Sequence, residues 1–180
     1  MISKFADMVK WSLVICLSPL LLLSSCSKKG SDGPGGGDYY FKLNVGGQSY
    51  TYTANSYATL SSSGDIYMSG IGGFRDMSVG NKNVASILVG SLSPIGQGTY
   101  KGLVYPGTSG NTPAVFFSWI DADGTTFSSL YQDNATNTVQ ITQLSSASVK
   151  GTFSGKIYNA LATGSPAIAF TGEFYVKRVN

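Results

Sequence analysis

Val149-Lys150-Gly151-Thr152-Phe153-Ser154-Gly155-Lys156-Ile157 and Ile168-Ala169-Phe170-Thr171-Gly172-Glu173-Phe174-Tyr175-Val176 decide the fold of this chain. In both stretches every second residue is apolar or glycine. A period of two is the signature of a strand with one packed face. Antiparallel pairing with Val149 opposite Val176 sets Gly151 against Phe174, Phe153 against Gly172, Gly155 against Phe170 and Ile157 against Ile168. Each glycine then lies under a phenylalanine, a device that fixes register because a slip of one residue would move every ring to the other face. On the outer face Thr152 meets Glu173. The preceding segment Thr138–Leu144 is expected to add Ile141 beside Phe153 and Val139 beside Gly155, completing a three-stranded meander with one apolar face.

Further toward the N-terminus, Ala114–Tyr131 reads as a hairpin around Asp123-Gly124, one of the strongest short-range turn signals. A two-residue turn there pairs Ile120 with Phe127 and Phe116 with Tyr131. These four residues make one face, and Val115, Phe117, Trp119 and Leu130 make the other. Both faces are apolar, so either the hairpin is covered on both sides or one aromatic face awaits a ligand. Phe116, Ile120, Phe127 and Tyr131 are therefore the candidate ligand face.

The remaining strands are read the same way. Tyr39–Val45 and Gln48–Thr53 flank Gly46-Gly47, with Phe41 opposite Tyr52 and Leu43 opposite Tyr50, and with Lys42 and Thr51 on the wet side. Tyr57–Leu60 and Ile66–Ile71 enclose Ser61-Ser62-Ser63-Gly64. Val84–Leu92 and Tyr100–Tyr105 are two further strands, Gly107–Pro113 is a loop, and Gly72–Asn83 fits a loop or a short helical turn. Many short strands with turn signals at regular spacing predict an all-β fold. We expect an antiparallel β-sandwich, with a small β-barrel as the alternative, because each hairpin has a dry face that a second sheet must cover.

Before residue 39 the character is different. Lys4 and Lys10 precede an apolar run, Trp11–Leu23, that ends in Leu23-Ser24-Ser25-Cys26. A membrane-spanning helix needs about 20 apolar residues. This run is shorter and is broken by Ser12, Ser18 and Pro19. A basic start, a short apolar middle and a small-residue exit describe a secretory signal. The cysteine at its exit resembles the lipobox of bacterial lipoproteins, in which the thiol takes the diacylglyceryl group. Residues 1–25 are thus expected to be a lipoprotein signal peptide. Residues 26–38 are the lipidated Cys26 and a Gly/Ser-rich tether, SKKGSDGPGGGD, and residues 39–180 are the all-β domain. The tether reaches roughly 20 Å as a random coil. The expected partner is the membrane, through the lipid anchor.

Composition narrows the chemistry. The chain has 180 residues and no histidine, which removes histidine-based triads, histidine metal sites and the commonest general base. Cys16 lies in the signal and Cys26 is the lipid site, so the mature domain has neither a disulfide nor a usable thiol. Beyond the signal stand ten basic and eight acidic residues, a near-balance without a basic stripe, which argues against nucleic acid. Asp121-Ala122-Asp123-Gly124 resembles the start of a calcium loop, but Thr125–Gln132 supplies no closing acid, and the hairpin turn is the better reading. Asp65, Asp76 and Asp133 read as turn residues. Gly70-Ile71-Gly72-Gly73 lacks the helix and lysine of a phosphate loop. No catalytic residue, metal site or cofactor is assigned. The expected function is that of an envelope lipoprotein acting as a non-catalytic binding or structural module for a glycan or an envelope protein. The alternative is a carboxylate-dependent glycan hydrolase.

Together, the lipobox and tether, Phe41-Lys42-Leu43-Asn44-Val45-Gly46-Gly47, the Gly98-Thr99-Tyr100 turn, and Val139-Gln140-Ile141-Thr142 followed by Gly151-Thr152-Phe153-Ser154-Gly155 resemble the small all-β envelope lipoproteins of unknown function common in Bacteroidota. The resemblance implies an extracytoplasmic all-β domain and carries no catalytic residue, and with the lipid anchor the expected location is the bacterial cell envelope at the outer membrane. Surface-displayed lipoproteins of that phylum often have acidic residues straight after the lipidated cysteine. Here Ser27-Lys28-Lys29 is basic, which favours the periplasmic face over the cell surface.

Overall fold

The computed structural model describes residues 39–53, 55–75, 82–102, 114–129, 136–162 and 164–179. The expected signal peptide, Cys26 and the tether lie outside the described residues, as do Leu130, Tyr131, Asp76, Asp133, the end of the Tyr100–Tyr105 segment and the 107–113 loop.

Among the described residues eleven strands carry the fold: β1 (Tyr40–Val45), β2 (Gln48–Tyr52), β3 (Asn55–Ser63), β4 (Ile66–Phe74), β5 (Val84–Ser91), β6 (Gly98–Lys101), β7 (Ala114–Ile120), β8 (Thr126–Ser128), β9 (Thr138–Leu144), β10 (Ser148–Asn159) and β11 (Ile168–Val179). The all-β class is as expected. The strands form two leaves, β2-β1-β11-β10-β9-β6 and β3-β4-β5-β7-β8, within one hydrogen-bonded sheet. The two leaves meet at two corners. Along one edge, β11 pairs with β1 through 170–175 and then, in parallel, with β3 through 177–179. Along the opposite edge, β10 pairs with β9 through 149–154 and then with β8 at 158–159. Hydrogen bonding therefore runs full circle through β11, β3, β4, β5, β7, β8 and β10. The described β-domain is a sandwich closed at its corners, and so combines the sandwich and barrel alternatives. Among the described residues the sheet's edges are β2 and β6, of five and four residues, short enough to limit edge-to-edge pairing.

The core is aromatic. Phe117 of the second leaf stacks on Phe170 (4.3 Å) and Phe153 (5.6 Å) of the first, and Phe41 stacks on Phe153 (5.0 Å). Phe41, Leu43, Tyr52, Val149 and Phe174 are fully buried beside them. At Gly73 a Cβ would lie 2.7 Å from Tyr52 Cβ and 3.0 Å from Phe41 Cβ. The β1–β2 hairpin therefore crosses β4 at a distance that only glycine allows.

The β10–β11 register is the expected one at every pair, and so is Phe41–Tyr52 with Leu43–Tyr50 across β1–β2. Gly46 and Gly47 both have positive φ (56° and 79°), which matches the primed two-residue turn that hairpin twist favours. Phe174 Cζ would stand 2.6 Å from a Cβ at residue 151, and Phe153 Cζ would collide with one at 172.

Three expectations need correction. Gly155 pairs with Phe170, but the space over it is filled by Asn137, whose Oδ1 accepts a hydrogen bond from Lys156 N at 3.0 Å. β9 is displaced by two residues, so that Val139 faces Phe153 and Ile141 faces Gly151, with an irregularity between Lys150 and Gly151. A tight turn sets this displacement: Ser145 Oγ accepts from Ser148 N at 2.9 Å, and Ser145 N donates to Ser148 O at 2.9 Å. Finally, the β7–β8 hairpin is offset by one, with Trp119 opposite Phe127 and Ile120 opposite Thr126.

Candidate functional site

The offset in β7–β8 divides the expected ligand face. In β7, Val115, Phe117 and Trp119 point into the core while Phe116 and Ile120 are half-buried on the outer face. Phe127, now opposite Trp119, stacks on its ring at 4.9 Å and packs against the core. Only Phe116 and Ile120 of the four candidates are therefore seen together on the outside, and Tyr131 lies outside the described residues. The cause is the turn. Asp121 Oδ1 accepts from Asp123 N (2.9 Å) and Thr125 N (2.8 Å), so residues 121–125 form a five-residue loop where a two-residue turn was expected.

Phe116 and Ile120 gain other neighbours. The ladders place Phe74, Val84 and Ile120 in one cross-strand row, Gly72, Ser86 and Ser118 in the next, and Gly70, Leu88 and Phe116 in the third. Tyr57 stands beside Gly72, and its ring stacks on Phe74 at 6.3 Å and 14°. Burial raises the Tyr57 phenol above its ordinary pKa, so it is a neutral hydrogen-bonding group at physiological pH. The outer face of the second leaf is thus a floor of glycine and serine between two apolar rows, with no lysine, arginine, aspartate or glutamate in these rows. Sequence reading found only its β7 members. Tyr57, Phe74, Val84 and Leu88 come from strands whose neighbours it did not order.

A cavity of about 270 Å³ opens at the end of the β3–β4 hairpin, lined by Leu60, Ser61, Ser62, Tyr67, Met68, Pro94 and Ile95. Tyr100 fixes its rim, its hydroxyl donating to Gly96 O and accepting from Gly96 N, both at 2.9 Å. The side-chain polar groups here are three hydroxyls, which suit hydrogen bonding and lack the paired acids of general acid–base chemistry.

Among the described residues no acid lines the cavity or belongs to the outer-face rows. Asp121 holds its loop, Asp123 is exposed in that loop and Asp65 is exposed in the β3–β4 turn. Glu173 faces Thr152 as expected on one side, and on the other it meets Lys42, with Nζ–Oε1 at 2.7 Å. That hydrogen bond is the main cause of the raised pKa of the Lys42 ammonium. Among the described residues no three metal-ligating side chains cluster, and no helix is long and apolar enough to cross a membrane. The chain matches no protein-family model, no curated protein and no solved structure.

Proposed function

We propose that this protein is a lipid-anchored lipoprotein of the bacterial envelope, held through Cys26 at the periplasmic face of the outer membrane, and that its β-domain is a non-catalytic binding module. The observation that carries the reading is Leu23-Ser24-Ser25-Cys26 at the end of a run too short to span a bilayer, followed by a glycine-rich tether and a compact domain. The family expected from sequence, the Bacteroidota envelope lipoproteins, is part of the same proposal. The ligand surface is the outer face of the second leaf. Its uncharged apolar rows and serine floor suit an uncharged glycan or the apolar surface of an envelope protein. Among the described residues Asp65, Asp121, Asp123 and Glu173 support binding over hydrolysis, because two of the four carboxylates are already engaged in turn closure and an ion pair.

Intact-mass measurement of detergent-extracted protein tests the anchor. The expected species begins at Cys26 and carries acyl groups, and a mature mass without them overturns it. Pull-down and envelope-glycan screening, comparing wild type with Leu88→Ser/Phe116→Ser, test the ligand surface. Loss of the captured partner in the double variant is expected, and equal capture overturns the assignment.

A further inference from the structure

The outer face of the first leaf differs from that of the second in charge. Register sets Tyr40, Tyr175 and Lys150 in one cross-strand row, Lys42, Glu173 and Thr152 in the next, and Thr171, Ser154, Thr138 and Lys101 in a third. Among the described residues this face carries five lysines (42, 101, 150, 156 and 177) and one acid, Glu173, which is engaged by Lys42. Lys101, Lys150 and Lys177 are exposed. At one end of the face the tyrosines gather. Tyr175 lies 5.1 Å from Tyr39 and 6.5 Å from Tyr40, and Lys42 Nζ stands 4.5 Å from the Tyr40 ring centre. Lysines suit a layer of phosphates, and tyrosine, with its apolar body and polar tip, suits the boundary between headgroups and acyl chains.

The point where the chain enters the domain selects which anion this face meets. The described chain begins at Tyr39, and the Tyr39 ring rests on Tyr175 at the tyrosine end of this face. The segment from Cys26 to Asp38 spans roughly 20 Å as a random coil. With Cys26 in a bilayer, a tether of that length keeps the domain within reach of the headgroups, where charge favours the basic face over the uncharged one. Electrostatic attraction works over a Debye length of about 8 Å, so the face must sit on the surface for the lysines to act.

The geometry points to a membrane-docking surface, in which Lys101, Lys150 and Lys177 with the Tyr39–Tyr40–Tyr175 cluster seat the domain on a layer of anionic phospholipid headgroups. The inference rests on the anchored reading for its orientation. Its test uses chain without the anchor, so the two can fail separately. Residues 26–180 carrying Cys26→Ser are sedimented with phosphatidylglycerol vesicles and with phosphatidylcholine vesicles at low salt. Binding to the anionic vesicles alone is expected, lost as salt rises. Lys101→Gln/Lys150→Gln/Lys177→Gln is expected to weaken it on the order of a hundredfold, at about fivefold per lysine. All three lysines are exposed, so its thermal melt should match wild type. Equal partition of the variant, equal binding to both vesicles, no binding to either, or capture by a soluble acidic polysaccharide in place of vesicles overturns the assignment.

Discussion

At the scale of the residue, the pair that ties the two leaves together is Trp119 and Tyr52. Trp119 Nε1 donates to Tyr52 Oη at 3.1 Å inside the core, and Tyr52 is fully buried. Burial pushes the Tyr52 phenol from 10.0 up to about 12, with the Trp119 hydrogen bond opposing the shift in part. The sign follows from linkage. Below about pH 10 both folded and unfolded states keep the proton and stability is unaffected. Above it the unfolded phenol ionises while the folded one stays neutral, so stability falls as pH rises from about 10 to about 12. The loss is on the order of 2–3 kcal/mol. Denaturant unfolding across that range should show this decline. Tyr52→Phe should flatten that component of the decline, while costing about 1–3 kcal/mol at neutral pH because the Trp119 N–H is left unpaired. An unchanged alkaline slope in the variant would assign the decline to other groups.

Among the elements, β10 and β11 were legible in full because two signals agree there. Period-two alternation fixes the face, and the Gly–Phe pairs fix the register, since Gly151 and Gly172 each admit a ring that a Cβ would strike. β7 and β8 were not legible for the opposite reason. Both faces of Ala114–Ile120 are apolar, so a slip of one residue leaves the pattern equally good. The decision fell to the turn, where the Asp121 carboxylate takes two backbone N–H groups and lengthens the loop. That side-chain choice turned Phe127 from the candidate ligand face to the inner side, where it packs against the core, and broke up the expected site. In β9 the face was read correctly and the register was not, because the Ser145–Ser148 turn and the irregularity at Lys150/Gly151 leave no periodic trace. The legible element makes the sharpest stability prediction. Phe153 stacks on Phe41 and Phe117 and is buried over Gly172. Phe153→Ala should cost about 3–5 kcal/mol. A measured loss below about 1 kcal/mol in chemical denaturation would place Phe153 outside the core.

Across the whole molecule, closure at the corners is what makes two leaves one sheet. At one corner Lys177, Arg178 and Val179 of β11 pair in parallel with Tyr57, Ala58 and Thr59 of β3. One of them also holds the β9–β10 turn, Arg178 N donating to Ala147 O at 2.8 Å and the Arg178 guanidinium to Ser145 O at 3.1 Å. A chain ending at Val176 loses this corner while keeping β10–β11 and β1–β11 pairing almost intact. With each lost hydrogen bond contributing about 1 kcal/mol, the truncation should destabilise the domain on the order of 3–5 kcal/mol. At about 2–4 °C per kcal/mol that is a fall of roughly 6–20 °C in Tm. Ala58, fully buried beside the corner, should gain solvent access, so faster amide exchange along β3 is expected together with the lower Tm. Melting within about 2 °C of the full chain, with β3 exchange unchanged, would mean that facing side chains alone hold the leaves and that the ring of hydrogen bonds adds little. The corner also matters to the proposed division of labour. Lys177 on the basic face is hydrogen-bond register partner to Tyr57 on the uncharged one, so this strand pair is where a headgroup-facing surface turns into a ligand-facing one.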